Sequence, residues 1–190
     1  GAPPDELVPQ FALAKDLVSA FDVANIGVEG YEADDCLGTL AKQLHKDHQV
    51  TIVSGDKDLL QLVDEQITIA IMTKGTGNYD IYNSENFYEK TALTPSQIID
   101  LKGLMGDSSD NYPGVKGVGE KTALKLLREY GSIDCMLANK ESLTKGLQNK
   151  LEIYKEDLEI SRKLAEINTT VPLSCEINEC LWKNNHRKIS

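Results

Sequence analysis

The sequence predicts an α/β chain, a parallel-sheet core followed by a helical subdomain. Three observations carry that reading. Short β-branched runs alternate with helical spacings in the first half, strand signals stop after about residue 84, and successive amphipathic helices then flank a glycine hairpin. The expected divisions are residues 1–92, 93–170 and a tail over 171–190.

Leu7, Phe11, Leu13, Ala14, Leu17 and Val18 recur at the spacing of an amphipathic helix over 6–20. Val23-Ala24-Asn25-Ile26-Gly27-Val28 is a short apolar stretch ending at Gly30. Leu37, Leu40, Ala41 and Leu44 share one face of a helix over 33–44. Val50-Thr51-Ile52-Val53 is a compact β-rich run stopped by Ser54-Gly55. One or two helical turns follow over 58–63, then a strand over 67–72. Helices alternating with apolar strands of this kind indicate a parallel sheet covered on both faces. Lys74-Gly75-Thr76-Gly77-Asn78 reads as a turn into an edge strand, Tyr79-Asp80-Ile81-Tyr82.

Thr94-Pro95-Ser96-Gln97 carries a threonine cap, an early proline and a glutamine that closes a capping box, so a helix starts there and runs through Met105. A second follows Gly119, carries Ala123, Leu124, Leu126, Leu127 and Tyr130, and stops at Gly131. Further helices are expected over 132–138 and 147–167. The tail after Val171 is poorly patterned, with a basic end at Lys183, Arg187 and Lys188.

The chain has 190 residues and a formal net charge of −10. That total argues against a generally sticky nucleic-acid binder, although a clustered acidic site and a local basic patch can coexist within it. No hydrophobic run is long enough to span a membrane and no signal-peptide pattern is present. Cys36, Cys135, Cys175 and Cys180 form no C-x-x-C and read as reduced thiols, with only Cys175 and Cys180 close together. The first residue is Gly1 and the first methionine is Met72, the mark of a processed product or a fragment. His45, His48 and His186 read as surface residues.

Seven carboxylates fall in three tight groups: Glu32, Asp34 and Asp35; Asp56 and Asp58; Asp107 and Asp110. Closely spaced acids repel, and hard divalent cations such as Mg2+ or Mn2+ are their usual partners. Each group also has a plain structural reading. Asp56 and Asp58 follow a strand directly, where open α/β sheets bind ligands, but an aspartate there also caps a following helix. Glu32, Asp34 and Asp35 converge only if a helix begins near Ala33, and acids at a helix N-terminus gain from its dipole in any case. Asp107 and Asp110 lie between two helices and fit a solvated loop.

Gly114-Val115-Lys116-Gly117-Val118-Gly119-Glu120-Lys121-Thr122 is not a P-loop, because Glu120 interrupts Gly-Lys-Thr and no strand precedes it. Helix, G-V-x-G-V-G, helix is the arrangement of a helix-hairpin-helix, whose bare amides and lysines grip a DNA phosphate without reading sequence. Lys116, Gly117, Gly119, Lys121, Thr122 and Lys125 are the candidate DNA-binding residues. A helix-turn-helix that merely packs is the alternative.

Y-E-A-D-D (31–35), S-G-D-K-D-L (54–59) and L-K-G-L-M-G-D-S-S-D-N-Y-P-G-V-K-G-V-G-E-K-T-A (101–123) together resemble the bacterial 5′-nuclease family, which includes the 5′–3′ exonuclease domain of DNA polymerase I and is similar to flap endonucleases. The resemblance covers residues 3–172. It implies a PIN-like nuclease core and a helix-hairpin-helix subdomain acting on 5′ flaps and nicked or branched duplex DNA, in a monomer of the bacterial cytoplasm. It implies two Mg2+ or Mn2+ ions, with Glu32, Asp34 and Asp35 at the first and Asp56, Asp58 and Asp110 at the second, Asp107 nearby. Asp35, Asp56, Asp58 and Asp110 are the expected catalytic acids, and a K+ ion at hairpin carbonyls is a further implication. Two such ions activate a water and stabilise the leaving oxygen of an in-line displacement. Family members begin with a buried aspartate-bearing strand, a second metal-binding aspartate and a basic helical arch, none of which precedes Pro3. The sheet is therefore expected to lack its first strand and the first metal two ligands. The resulting expectation is an impaired nuclease fragment, with a non-catalytic branched-DNA-binding module as the alternative.

Overall fold

The computed structural model describes residues 3–182. The basic end at Lys183, Arg187 and Lys188, together with His186, lies outside them. Helix α1 (Val8–Ala20) is followed by α2 (Ala33–Leu44), β1 (Val50–Ser54), a 3-10 turn (Asp58–Leu62), β2 (Ile67–Met72) and β3 (Tyr79–Tyr82). Then come α3 (Phe87–Thr91), α4 (Gln97–Met105), α5 (Glu120–Tyr130), α6 (Ile133–Ala138), α7 (Lys145–Ile153) and α8 (Lys155–Ala165).

Among the described residues the sheet has three strands in the order β1-β2-β3. β1 runs parallel to β2 from Val50↔Ile67 to Ser54↔Ile71, and β3 is an antiparallel edge strand from Ile69↔Tyr82 to Met72↔Tyr79. Ile52, Ile67, Ile69 and Ile71 face the core, whereas Val53 is 52% exposed. The expected cover on both faces is thus absent from β1. The apolar stretch over 23–28 forms no regular element, and Val23 and Ile26 are exposed. α1 forms as a helix, but it buries no residue, because Leu7, Phe11, Leu13 and Leu17 meet no core.

One apolar cluster runs from Ala41, Ile52 and Leu59 through Phe87, Leu93 and Leu104 to Leu127, Met136 and Leu158. The sheet and the helices therefore share a core. Gln97 Oε1 accepts the Thr94 amide (2.7 Å), which forms half of the expected capping box, while the Thr94 hydroxyl pairs with Ser96 instead. α3 had no signal in the sequence. The single helix expected over 147–167 is two, broken at Tyr154 (φ −105°, ψ 25°), with Leu151 and Leu158 buried on either side. Thr144 caps α7 by accepting the Leu147 amide (3.4 Å), starting that helix two residues earlier than expected.

One set of polar contacts ties the helices to one another, and a second ties them to the first half. Asp100, buried in α4, accepts Arg162 Nε of α8 (2.8 Å) and the Ile133 amide at the start of α6 (3.0 Å), while Arg162 also makes a two-pronged pair with Asp134 (2.9 and 2.8 Å). The segment after α8 then returns across the first half. Gln61 Nε2 donates to Ala165 O (2.8 Å), the Ile167 amide to Gln61 Oε1 (3.0 Å), and the Val171 amide to Thr39 Oγ1 (3.1 Å). A Cβ on Gly38 would lie 2.7 Å from Ile167 Cγ2, so α2 accepts this strap only with glycine there.

The four cysteines are free thiols, with Cys175 and Cys180 sulfurs 3.1 Å apart. Among the described residues no helix is long and apolar enough to cross a membrane.

The loop after α4 closes on a neck of two glycines. Gly106 (φ 70°) and Gly114 (φ 59°) lie backbone to backbone, and a Cβ on Gly114 would meet Met105 C at 2.6 Å and Gly106 N closer still. Gly114→Ala should cost about 2 kcal/mol and visibly lower the melting temperature. Gly146→Ala, at a position open to solvent, should stay within about 0.5 kcal/mol of the parent. Thermal melts followed by circular dichroism check both.

Candidate metal centre and nucleic-acid interface

The first acid group sits at the start of α2 as its spacing demands. Glu32 is the extended N-cap (φ −77°, ψ 160°), and Asp34 and Asp35 occupy the first helical turn. Asp35 Oδ1 accepts the Asn168 amide (2.8 Å) from the returning strap. Asp34 has its carboxyl pushed up to about 6, first by burial, then by the charges of Asp56, Asp58, Glu32 and Asp35. The first two acid groups therefore act on one carboxyl.

The second group follows β1. Ser54 Oγ accepts the Asp56 amide (3.0 Å), and Asp56 Oδ1 accepts the Asp58 amide (2.8 Å), so the capping role does operate here. It directs Asp58 inward, where it is 6% exposed. Burial raises the Asp58 carboxyl, Lys102 opposes that, and Asp56 and Asp110 raise it further.

The third group lies in the loop closed by the glycine neck, where Asp107 and Tyr112 exchange backbone hydrogen bonds (3.0 and 2.8 Å). Asp107 Oδ1 accepts the Ser109 amide (2.8 Å) and hydroxyl (2.7 Å), while Oδ2 accepts Lys102. Lys102 and Ser109 hold this carboxyl far below the usual carboxylate range. Asp110 is exposed at the loop's far side. Tyr112 stands beside the site with its hydroxyl on Leu164 O (3.1 Å), and its ionisation is pushed up by burial and then by Asp58, Asp110 and Glu32. The three acid groups thus surround common neighbours.

They do not close on a single point. Among the described residues no three acids stand at the spacing one metal ion needs. Asp35 is taken up by the Asn168 amide, and the Lys102 ammonium sits between Asp58 and Asp107. The donor set nevertheless fits a hard divalent ion. It is all carboxylate oxygen, Asp58 has only the Lys102 ammonium to offset its burial, and Asp34 carries a charge that its neighbours disfavour.

Lys102, Tyr112 and Asn168 were not singled out from the sequence. Lys102 could have been, as the only cation in the 101–110 stretch and five residues before Asp107. Asn168 gave no signal, because its partner is 133 residues away.

The hairpin separates its own residues by burial. Val115 and Val118 are 1% and 4% exposed, whereas Lys116, Gly117, Gly119, Lys121, Thr122 and Lys125 all face solvent. The Val118 amide donates to Val115 O (2.9 Å), a tight turn that needs glycine at position 117 (φ 79°). Gly119 gives α5 no side-chain cap, so its leading amides are left for an outside acceptor. Gly117, Thr122 and Lys125 also line an open cavity of about 540 Å³ with Thr144, Gly146 and Lys150. Lys150 Nζ donates to Gly117 O (3.1 Å), a tie from α7 with no local signal.

Comparison with known proteins follows this division. The chain matches the N-terminal resolvase-like domain of the 5′-3′ exonucleases over residues 1–92 and their C-terminal SAM fold over 93–188. It is 54% identical to the 5′-3′ exonuclease of Bacillus subtilis, covering 95% of this chain and 61% of that protein. It is 44% identical to DNA polymerase I of the same organism, over 97% of this chain and 21% of the polymerase. Among solved structures, T5 5′-exonuclease with divalent metal ions (zinc) bound is similar at a TM-score of 0.69 and 25% identity, over 88% of this chain and 64% of that one. This chain therefore spans less than two thirds of each of these relatives. With both parts of the family matched along residues 1–188, the chain belongs to the 5′-3′ exonuclease family.

Proposed function

We propose that this chain belongs to a divalent-metal-dependent DNA nuclease that removes nucleotides from 5′ ends and cuts 5′ flaps, in replication and repair in the bacterial cytoplasm. The observation that carries this reading is the shared field at Asp34 and Asp58. Acids of α2 and of the turn after β1 bear on Asp34, acids of that turn and of the loop after α4 bear on Asp58, and the same chain carries a hairpin with exposed lysines and an uncapped helix start. Glu32, Asp34 and Asp35 would hold one Mg2+ or Mn2+, and Asp56, Asp58 and Asp110 a second. Bound there, such ions would supply Lewis-acid activation of water and stabilisation of the leaving oxygen.

The chain's own residues do the rest. Asp56 turns Asp58 inward, and the strap amide of Asn168 orients Asp35. Ser109 and Lys102 hold the Asp107 carboxylate as the post on which the acid loop is closed. Lys116, Lys121 and Lys125, with the open amides of α5, would hold the duplex backbone and leave its sequence unread. A K+ ion at the hairpin would have to share Gly117 O with the Lys150 ammonium. That carbonyl already has its cation, and no step is assigned to K+.

A second reading is favoured by the separation of the acids: a monomeric module that binds nicked or branched DNA without cutting it. Cleavage of a 5′-flap DNA in Mg2+ separates the two. Turnover that falls at least about a hundredfold in Asp110→Asn supports catalysis. Flap binding with no turnover supports the module, and cleavage that survives Asp110→Asn removes Asp110 from the site.

Lys121→Met and Lys125→Met should each weaken binding to any duplex sequence and reduce the slope of log K against log salt by about 1. Fluorescence anisotropy over a salt series measures this.

Asp34 gives a pH test in the absence of metal. Its folded value, about 6, lies above its ordinary 3.8. The folded state therefore holds the proton more tightly, and stability falls as pH rises from near 4 through 6. Asp34→Asn should raise stability at neutral pH by about 1 kcal/mol, after discount for solvent screening at this half-buried site. The gain should vanish near pH 4. Urea melts at the two pH values test it, and added Mn2+ should stabilise the parent more than the variant.

A further inference from the structure

We propose that Lys102 is a built-in counter-cation of the acid site, seated between Asp58 and Asp107, and that it must give up Asp58 before a divalent ion can bind there. The inference rests on the metal-site reading above and adds a residue that opposes the ion.

Lys102 lies in the last part of α4, and its Nζ is 2.6 Å from Asp58 Oδ1 while also paired with Asp107 Oδ2. Its side chain is only 15% exposed, between carboxylates that are 9% and 18% exposed. Water therefore does little to weaken these contacts. The ammonium donates to both carboxylates, so each has its partner in the metal-free chain. It thereby occupies the Asp58 oxygen that a divalent ion would need.

Asp56 and Asp110 also bear on Asp58, and Lys102 is the cation acting against them. A divalent ion on Asp58 Oδ1 would stand within a few ångströms of Nζ, like charge against like. Asp107 offers the ammonium a second seat that it already occupies, so it can withdraw without leaving its own charge buried and unpaired. Metal binding and the Lys102–Asp58 contact therefore compete.

The test uses the whole chain without DNA, with Mn2+ as the probe. Isothermal titration at fixed ionic strength gives the affinity, and a thermal melt without metal gives the stability. Lys102→Met keeps most of the buried stem and removes the charge. It should bind Mn2+ at least about fivefold more tightly, a coupling of ordinary size between charged neighbours. Its metal-free form should melt at lower temperature, with the loss recovered on adding Mn2+. Lys102→Gln, which keeps a donor for Asp107, serves if the methionine variant does not fold, with the same expected direction. Mn2+ affinity that is unchanged or weaker in the folded variant overturns the proposal, because a purely structural lysine gives that result. A parent chain that binds no Mn2+ at millimolar concentration overturns the metal-site reading itself.

Discussion

Like charges held together at low exposure form the constraint on which the rest of this structure depends. Asp58 is buried, Asp107 and Asp34 are partly so, and Asp56, Asp110, Glu32 and Asp35 lie around them. Without metal, Lys102 makes this arrangement tolerable by holding Asp58 and Asp107 at once. The contact is also architectural. Asp58 opens the 3-10 turn after β1, Lys102 belongs to α4, and the two elements pack together over Leu59 and Leu104. The same ion contacts that steady the acids join the sheet to the helices.

Most of what bears on chemistry was legible because it is local. The helix over 33–44, the run ending at Ser54-Gly55 and the hairpin at 114–119 each declare themselves within a dozen residues. Burial of Val115 and Val118 beneath exposed Lys116 and Gly117 follows from the alternation in the sequence itself. The failures are of another kind. α1 and residues 23–28 have apolar spacing but no core to meet, and periodicity reports a face without reporting what covers it. The break at Tyr154 interrupts a helical spacing that continues on both sides of it, since Leu151 and Leu158 both reach the core.

The hairpin and the acid loop share one construction. Each is a short, polar, exposed excursion anchored at its base by groups that allow no alternative: Val115 and Val118 in the core for one, Gly106 against Gly114 for the other. The Val115 amide donates to Leu104 O (2.9 Å) and the Gly114 amide to Ser161 Oγ (2.9 Å), so both bases rest on α4 and α8. Hairpin and acid cluster are thereby fixed relative to each other through a few contacts of the backbone, and the exposed residues at their tips can vary without moving the frame.

The strap from Ala165 to Val171 has a consequence for the way this protein is made. Asp35 and Thr39 leave the ribosome well ahead of their partners at Asn168 and Val171, which lie 133 and 132 residues downstream. Contacts of such sequence separation close late. A nascent chain that already displays α2, β1 and even the hairpin still has Asp35 unheld, and acquires its oriented acid only when the strap after α8 has emerged. Asp35 is thus held by a part of the sequence that contributes no member of the acid cluster.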